Sequence, residues 1–231
     1  FGEIVHCEGG YRHDLREEVG FGRENRHYRN AHYMNRNCEN YPTHELGPIC
    51  QMLGINHCNR LLKLTSTASC SRGLNAYLTG EKGPEYDQAS YPVAQGDVVN
   101  TVITCAHGQT ISLTLDTTLP RYYSRGLVVQ GTKAMYCEDN NSIFMDGVHS
   151  EMDGFYWKKF WGNAEEFRKD WESPTWKQFL EDGVRGGHGG MDYLADRAFF
   201  DSVKNECDPP IDVYDMATWM CISVLSEESI A

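Results

Sequence analysis

The sequence has little positive charge: 21 Lys and Arg stand against 33 Asp and Glu, which gives 231 residues a formal net charge of −12. Because this balance would not neutralise a phosphate backbone, we exclude nucleic acid as a partner. The basic residues are scattered, and no stretch approaches the ~18–20 consecutive apolar residues that a membrane span needs. We therefore predict neither a nucleic-acid-binding nor a membrane-binding protein.

The sequence also lacks a C-x-x-C pair, although it contains nine cysteines between Cys7 and Cys221. This wide spacing is typical neither of a disulfide scaffold nor of a structural zinc site, and no His/Cys spacing suggests another metal. We expect most of the cysteines to be reduced and partly buried. That favours the cytoplasm, but a periplasmic or exported bacterial protein stays open. The chain opens at Phe1 without a signal peptide, so we expect part of a longer protein.

Hydrophobic periodicity predicts an α+β domain, with a mainly antiparallel open sheet that carries helices on one face and polar residues on the other. The predicted strands cover 3–8, 60–69, 98–105, 109–116, 126–131, 134–138 and 142–146. The predicted helices cover 42–53 and 175–181, and two amphipathic helices follow near the C-terminus. Residues 14–40, 79–97 and 156–176 are predicted to be connections or irregular.

Two tyrosine–histidine pairs indicate a catalytic pocket, which we expect on the polar side of the sheet. Tyr11 and His13 follow a double glycine at a strand end and, being two residues apart, project from the same face. Tyr41 and His44 lie at a predicted helix start, where the positive end of the helix dipole should lower the pKa of His44 and favour the neutral base. The alternatives are an exposed strand-end pair and a helix-start histidine that only bonds a carbonyl.

Two further segments carry candidate ligand-binding residues. The glycine-rich turn around His188 runs into a helix and can offer backbone N–H groups to a ligand, unless it is only a tight helix entry. Tyr123 and Arg125 follow a predicted strand and are suited to bind sugar hydroxyls, unless this is a solvated loop. The sequence contains no G-x-G-x-x-G dinucleotide fingerprint, and no carboxylate pair typical of an ordinary glycosidase stands out.

Taken in order, several segments resemble a known family over nearly the whole chain. These segments are residues 8–16, 41–48, 116–120, 123–125, 129–133, 138–140, 187–193 and 210–214. The most specific are Tyr-Pro-Thr-His at 41–44 and Gly-His-Gly-Gly-Met-Asp at 187–192. They are similar to the NAD-dependent glycosidases of glycoside hydrolase family 109, typified by α-N-acetylgalactosaminidase, within the Gfo/Idh/MocA oxidoreductase superfamily. Ala134 departs from the glycine usual in relatives.

The resemblance implies that residues 1–231 are the substrate-side, C-terminal domain. A Rossmann domain that binds most of the NAD should precede it and is absent from this sequence, so the isolated chain should be inactive. The implied reaction oxidises an N-acetylgalactosaminide at C3, removes the C2 proton, expels the C1 glycoside, adds water and reduces the ketone again. By carry-over, Tyr11 is the candidate base, with His13 near it. Tyr41 and His44 would bind the sugar and transfer protons around C3 or the leaving oxygen.

The resemblance also makes Tyr123 a pocket residue, and we expect Arg125 and His188 to bind substrate. Two other functions stay open. One is a sugar or inositol dehydrogenase of the same superfamily, which stops after hydride transfer. The other is a non-catalytic domain that binds sugar or forms oligomers. The open sheet of this superfamily implies a homo-oligomer in either case.

Overall fold

The computed structural model describes residues 1–231, except for the side chain of residue 151. Its centre is a seven-stranded open sheet in the order β2-β3-β4-β1-β5-β6-β7, in which β1 and β4 are parallel and every other neighbouring pair is antiparallel. The predicted mainly antiparallel α+β architecture is therefore confirmed. The strands are β1 (Ile4–Arg12), β2 (Leu61–Ala68), β3 (Val98–Cys105), β4 (Thr110–Asp116), β5 (Val128–Gly131), β6 (Ala134–Cys137) and β7 (Ser142–Met145).

Eight α-helices accompany the sheet, and some lie where we predicted loops. They are α1 (Arg16–Gly20), α2 (Tyr28–Asn35), α3 (Thr43–Met52), α4 (Gly73–Lys82), α5 (Ala164–Trp171), α6 (Pro174–Asp182), α7 (Met191–Asn205) and α8 (Val213–Ile230). Short 3₁₀ segments cover Asp87–Ala89, Glu151–Phe160 and His188–Gly190. The predictions for 14–40, 79–97 and 156–176 were wrong because they miss α1, α2, the end of α4 and α5. Helices this short depend on tertiary packing, such as that of buried Val19 and Tyr33, more than on their own propensity.

One face of the sheet is apolar and covered by helices, as predicted. Beneath α3 and α8 it contributes Cys7, Ile111 and Leu113 to the larger core cluster. Towards the carboxyl end of β1 a second cluster joins Tyr11 and Leu115 to residues of α1, α2 and α4, namely Val19, Tyr33, Met34, Leu74 and Leu78. The opposite face of β4 carries Thr110, Ser112 and Thr114.

Helix α8 buries a different face from the one that its apolar pattern suggests. The residues at amphipathic spacing point outward and are exposed: Val213, Met216, Met220 and Val224. Trp219 and Ile222 are buried instead, together with polar residues that fix the helix by hydrogen bonds. The Ser223 hydroxyl donates to the Glu39 carbonyl at 2.7 Å, and the Glu39 N–H donates to Ser226 Oγ at 2.8 Å. Specific polar contacts thus set the rotation of this helix.

The cysteines agree only in part with the expectation of reduced and partly buried side chains. All nine are unpaired. Cys7, Cys38, Cys50 and Cys105 are buried and Cys137 is half-buried, whereas Cys58, Cys70, Cys207 and Cys221 are exposed. Among the described side chains, no group of three or more His, Cys, Asp or Glu is arranged to hold a metal ion. No helix in the described chain has both the length and the apolar character needed to cross a membrane.

The parallel pairing of β1 with β4 depends on Gly10. A Cβ at this position would lie 2.0 Å from the carbonyl oxygen of Thr114, its partner in the register. Backbone cannot yield as a flexible side chain can, so we expect Gly10→Ala to lower the free energy of unfolding by about 2–3 kcal/mol. Denaturant unfolding of the purified protein measures this loss.

Gly80→Ala is the matched control, because a Cβ at Gly80 in α4 meets nothing within 4 Å. Alanine favours a helix interior, so this variant should gain about 0.5–1 kcal/mol. Equal stability of the two variants would contradict the close approach of β1 and β4.

Candidate active site

The structure brings the two tyrosine–histidine pairs together at the carboxyl end of β1, beside the first turn of α3. The ring centroid of Tyr11 lies 4.6 Å from that of Tyr41, 4.9 Å from that of His44 and 5.7 Å from that of His13. Tyr41 and His44 are 5.0 Å apart. We call these four side chains the aromatic cluster. Its catalytic role stays a prediction, but its members are close enough to contact one monosaccharide.

The alternation of β1 orients the first pair. Tyr11 points to the helix-covered face and is buried, while Arg12 points away, with Nη1 3.9 Å from Asp139. The backbone N–H of His13 continues the pairing by donating to the Asp116 carbonyl at 2.9 Å. The Tyr11 hydroxyl and His13 Nδ1 are therefore 3.1 Å apart, within hydrogen-bond distance. Burial raises the pKa of Tyr11 above that of an ordinary phenol, and the charge of Arg29 opposes this effect.

The start of α3 orients the second pair. Pro42 occupies the N-cap position, and His44 follows in the first turn as predicted. The backbone N–H of Tyr41 donates to Oε1 of Glu39 at 3.3 Å. The pKa of His44 lies below its ordinary value, which is the expected direction. The main cause is desolvation of the imidazole against its neighbours, and the positive charges of Arg125 and Arg29 follow.

The side of the sheet on which these residues meet was wrongly predicted. We expected the phenol and imidazole groups on the polar face, but Tyr11 lies in the buried cluster with Leu115 and Val99. The physical reason is the register: Tyr11 pairs with Leu115, whose side chain faces the helices. The aromatic cluster consequently forms a surface between the helix layer and the strand ends, which we call the ledge. This surface is open to solvent at the exposed ring of His44.

Two of the three predicted substrate-binding residues adjoin the cluster. The half-exposed ring of Tyr123 lies 5.2 Å from that of His13 and 6.5 Å from that of Tyr11. It is held there because Ser124 exchanges two backbone hydrogen bonds, of 2.9 and 3.2 Å, with Arg12. Arg125 follows directly and donates to Oε1 of Glu138 from Nε at 3.1 Å and from Nη2 at 2.7 Å.

His188 is less closely associated with the cluster. It lies in the short 3₁₀ turn before α7, is 75% exposed, and places Nδ1 2.9 Å from a carboxylate oxygen of Asp192. Its charge is the last of those that lower the pKa of His44. The positive φ angles of Gly186, Gly189 and Gly190 show why this turn needs glycine. Its role in substrate binding stays a prediction, since its hydrogen-bond partner among the described side chains is Asp192 and not a member of the aromatic cluster.

Sequence reasoning missed Arg29, which lies in α2 within the region predicted to be a connection. Its guanidinium lies over the ring of Tyr41, at 5.2 Å from the centroid, and pairs with Glu18. Arg29 and Tyr41 line one side of a cavity of about 170 Å³ beneath α8. Recognition of α2 as a helix would have placed Arg29 on the same helix face as the buried Tyr33, but only the packing of α2 brings it to Tyr41.

Sequence reasoning also missed Glu45. Its side chain is 2% exposed, although it follows the exposed His44 in α3. The place is available because Gly9 has no side chain: a Cβ there would lie 2.1 Å from Cγ of Glu45. Burial raises the pKa of Glu45 to about 8, an effect that the charge of Arg125 opposes. The contact between Gly9 and Glu45 is revealed only by the packing of α3 against β1, which is distant in sequence.

Comparison with protein families now identifies the chain. The family model described as "Glycosyl hydrolase 109, C-terminal domain" matches residues 1–231. The chain belongs to this family. Among curated members, it is 37% identical over 251 residues to an α-N-acetylgalactosaminidase from Tannerella forsythia, covering 100% of this chain and 52% of that protein. It is 36% identical over 249 residues to a glycosyl hydrolase family 109 protein from Stenotrophomonas maltophilia, with coverage of 100% and 53%.

The glycosyl hydrolase 109 chain thus spans about half the length of the curated relatives that it matches. Among solved structures, it is similar to a levoglucosan dehydrogenase, with a TM-score of 0.60, 14% identity and coverage of 99% of this chain and 56% of that one. A UDP-N-acetylglucosamine 3-dehydrogenase from Acidithiobacillus ferrooxidans gives a TM-score of 0.56, 9% identity and coverage of 100% and 56%. Identities this low establish only that the chain shares the fold of about half of each of these dehydrogenases.

The electrostatic coupling of His44 to Arg125 can be tested by titration. Because the guanidinium disfavours a protonated imidazole, Arg125→Gln should raise the pKa of His44, although burial will keep it below the ordinary value. NMR titration of the imidazole resonances measures this shift. Arg121→Gln is the control, since Arg121 pairs with Asp116. A His44 pKa that moves equally in both variants would contradict the assigned cause.

Proposed function

We propose that this chain supplies the substrate-binding and acid–base residues of an NAD-dependent glycosidase that acts on N-acetylgalactosaminides. The observation that carries the proposal is the aromatic cluster, in which two phenols and two imidazoles converge within the span of one sugar ring. The family membership and the α-N-acetylgalactosaminidase name of relatives such as that from Tannerella forsythia support the substrate class.

The carboxylates near the cluster do not fit a two-carboxylate hydrolysis. That mechanism needs one ionised and one protonated carboxyl group flanking the scissile bond. Glu45 is buried, and its Oε2 has no hydrogen-bond partner among the described residues. Glu138 is engaged by Arg125 and by the backbone N–H of Leu127. The groups that do face the ledge are phenols and imidazoles, which can remove a proton from a carbon next to a carbonyl. Because oxidation of the sugar would create that carbonyl, these residues fit a mechanism that uses a redox cofactor.

NAD, when bound, would supply a hydride acceptor for C3 of the sugar and the same hydride at the end of the cycle. A ketone at C3 acidifies the C2 proton, whose removal expels the aglycone from C1 and leaves a double bond between C1 and C2. Water would then add at C1 before the ketone is reduced again. We assign this proton removal to Tyr11. A phenol is a weak base at neutral pH, but His13 Nδ1, 3.1 Å away, can accept the hydroxyl proton as the oxygen attacks. The charge of Arg29 would favour the phenolate.

His44 fits a second proton transfer. Its lowered pKa keeps the imidazole neutral at pH 7, so that it can accept the C3 hydroxyl proton while the sugar is oxidised. Tyr41, held between Tyr11 and Arg29, would bind a neighbouring sugar oxygen. Because the base form of His44 is needed, activity should be lost as pH falls through this lowered pKa, below about 6.5, the ordinary value.

The cofactor would be bound mainly by a separate N-terminal domain of the full-length protein. Three observations support this proposal. The ledge is open at His44 and Tyr123, and the curated relatives are about twice as long as this chain. In addition, α8 presents an exposed apolar stripe next to the cavity beneath it, through Met216 and Met220. A second domain that covers this surface would exclude water from the cluster.

Variants of the full-length protein test the chemical roles. We expect Tyr11→Phe and His44→Ala each to lower kcat for a p-nitrophenyl α-N-acetylgalactosaminide about 10²–10⁴-fold, as removal of an acid–base group does. Tyr122→Phe is the matched control, because Tyr122 neighbours Tyr123 in sequence but is 74% exposed. Release of p-nitrophenol is measured by absorbance with NAD present.

Hydrolysis predicts free p-nitrophenol without net formation of NADH. Net NADH with no p-nitrophenol would contradict the proposal and indicate a sugar or inositol dehydrogenase. Full activity of both variants would instead favour a domain that only binds sugar or forms oligomers.

We also propose that the uncovered face of the sheet packs against a second copy of the chain. Val102 in β3 is 48% exposed on this face, between the polar side chains of Asn100 and Thr104. A charge at the centre of such an interface would be desolvated, so we expect Val102→Lys to shift the protein towards monomer. Multi-angle light scattering measures the mass. Lys177→Glu, which changes a charge on helix α6 outside the sheet, is the control, and a monomeric wild-type protein would contradict the proposal.

A further inference from the structure

The Glu45 carboxyl lies beneath the substrate ledge without a hydrogen-bonded partner for one oxygen. Its Oε2 is fully buried and makes no hydrogen bond within the described part of the chain. The nearest cation is Arg125, whose Nε is 3.8 Å away, too far for a hydrogen bond. A lone buried carboxylate is costly, so the neutral acid is the stable form in this geometry.

Arg125 is shared between two carboxyl groups. It donates to Glu138 from Nε and Nη2, and the same Nε lies 3.8 Å from Oε2 of Glu45. Its Nη1 donates no hydrogen bond to any described residue, and the neighbouring ring of Tyr123 is half-exposed. One guanidinium cannot fully compensate both the buried Glu45 carboxylate and the half-buried Glu138 carboxylate, so the protonation of Glu45 decides which partner Arg125 prefers.

We propose that Glu45 is a positioning residue for Arg125: while it carries a proton it leaves the guanidinium with Glu138 and the substrate, and when it ionises it draws the guanidinium inward. The inference rests on the proposed function, because it makes Arg125 the ligand of a sugar oxygen at the ledge. Glu45 itself touches no substrate and acts only through Arg125.

The groups that face Glu45 agree with this assignment. Burial raises the pKa of Glu45 to about 8, while Arg125 and Arg12 act to lower it and Glu138 acts to raise it. The folded protein therefore holds the proton at neutral pH and loses it above about pH 8. The phenols of Tyr11 and Tyr123 have pKa values raised above the ordinary 10, so neither accounts for a transition near pH 8.

The test compares the pH dependence of KM and kcat in the full-length protein. Between pH 7 and pH 9, ionisation of Glu45 leaves on the order of a tenth of the molecules competent to bind, so KM should rise about tenfold. Glu45→Gln, which is neutral and isosteric, should abolish this rise and leave kcat near that of the wild type. A rise in KM that persists in Glu45→Gln would overturn the proposal, and so would a flat wild-type profile.

Glu39→Gln is the matched control. Glu39 is also buried, its pKa is also raised to about 8 by burial, and its Oε2 also lacks a hydrogen bond within the described residues. Its backbone bonds Ser223 and Ser226 of α8, and its Oε1 accepts a hydrogen bond from the Tyr41 N–H. No ion pair among the described side chains joins it to Arg125. This variant should therefore retain the alkaline rise in KM, and its loss there as well would overturn the specific role of Glu45.

A spectroscopic measurement separates failure of this inference from failure of the proposed function. The Nε resonance of Arg125 should titrate near pH 8 in the wild type and in Glu39→Gln, but not in Glu45→Gln, whether or not the protein hydrolyses a glycoside. If the protein shows this titration but hydrolyses no glycoside, only the proposed glycosidase function is refuted. Absence of the titration from the wild type would refute the coupling of Glu45 to Arg125.

Discussion

The close packing of α3 on the glycines at the end of β1 is the constraint on which the candidate site depends. Gly10 lets β1 run beside β4, and Gly9 leaves room for the Glu45 side chain beneath α3. The first turn of the helix consequently lies against the strand end, which places Tyr41 and His44 within about 5 Å of Tyr11. A side chain at Gly9 would separate β1 from α3, the two elements that carry the pairs, whereas one at Gly10 would separate β1 from β4.

The same packing sets the electrostatics of the site. Burial raises the pKa of Tyr11 and of Glu45 and lowers that of His44, so all three are neutral around pH 7. The positive charges of Arg29 and Arg125 approach the cluster from opposite chain segments and are partly balanced by Glu18 and Glu138. A pocket of neutral acids and bases bordered by cations suits proton removal that generates an enolate-like oxyanion.

The sequence predicted the strands and the arrangement within each tyrosine–histidine pair because these depend on short-range regularities, whereas the meeting of the two pairs depends on the packing of α3 against β1. Alternation in β3 and β4, the double glycine before Tyr11 and the proline before His44 are all local signals. The wrong predictions concern long-range packing. The rotation of α8 depends on hydrogen bonds between Ser223 or Ser226 and the Glu39 backbone, far away in sequence. The contributions of Arg29 and Glu45 likewise arise only when α2, α3 and β1 meet, and no periodicity reveals them.

The central claim is that the aromatic cluster removes the C2 proton of a bound sugar. The most direct measurement is hydrolysis of an unlabelled α-N-acetylgalactosaminide by the full-length protein in D₂O, with NMR analysis of the released sugar. Removal of the proton by Tyr11 and His13 predicts solvent deuterium at C2 of the product. A product that keeps its original hydrogen at C2 would contradict the account.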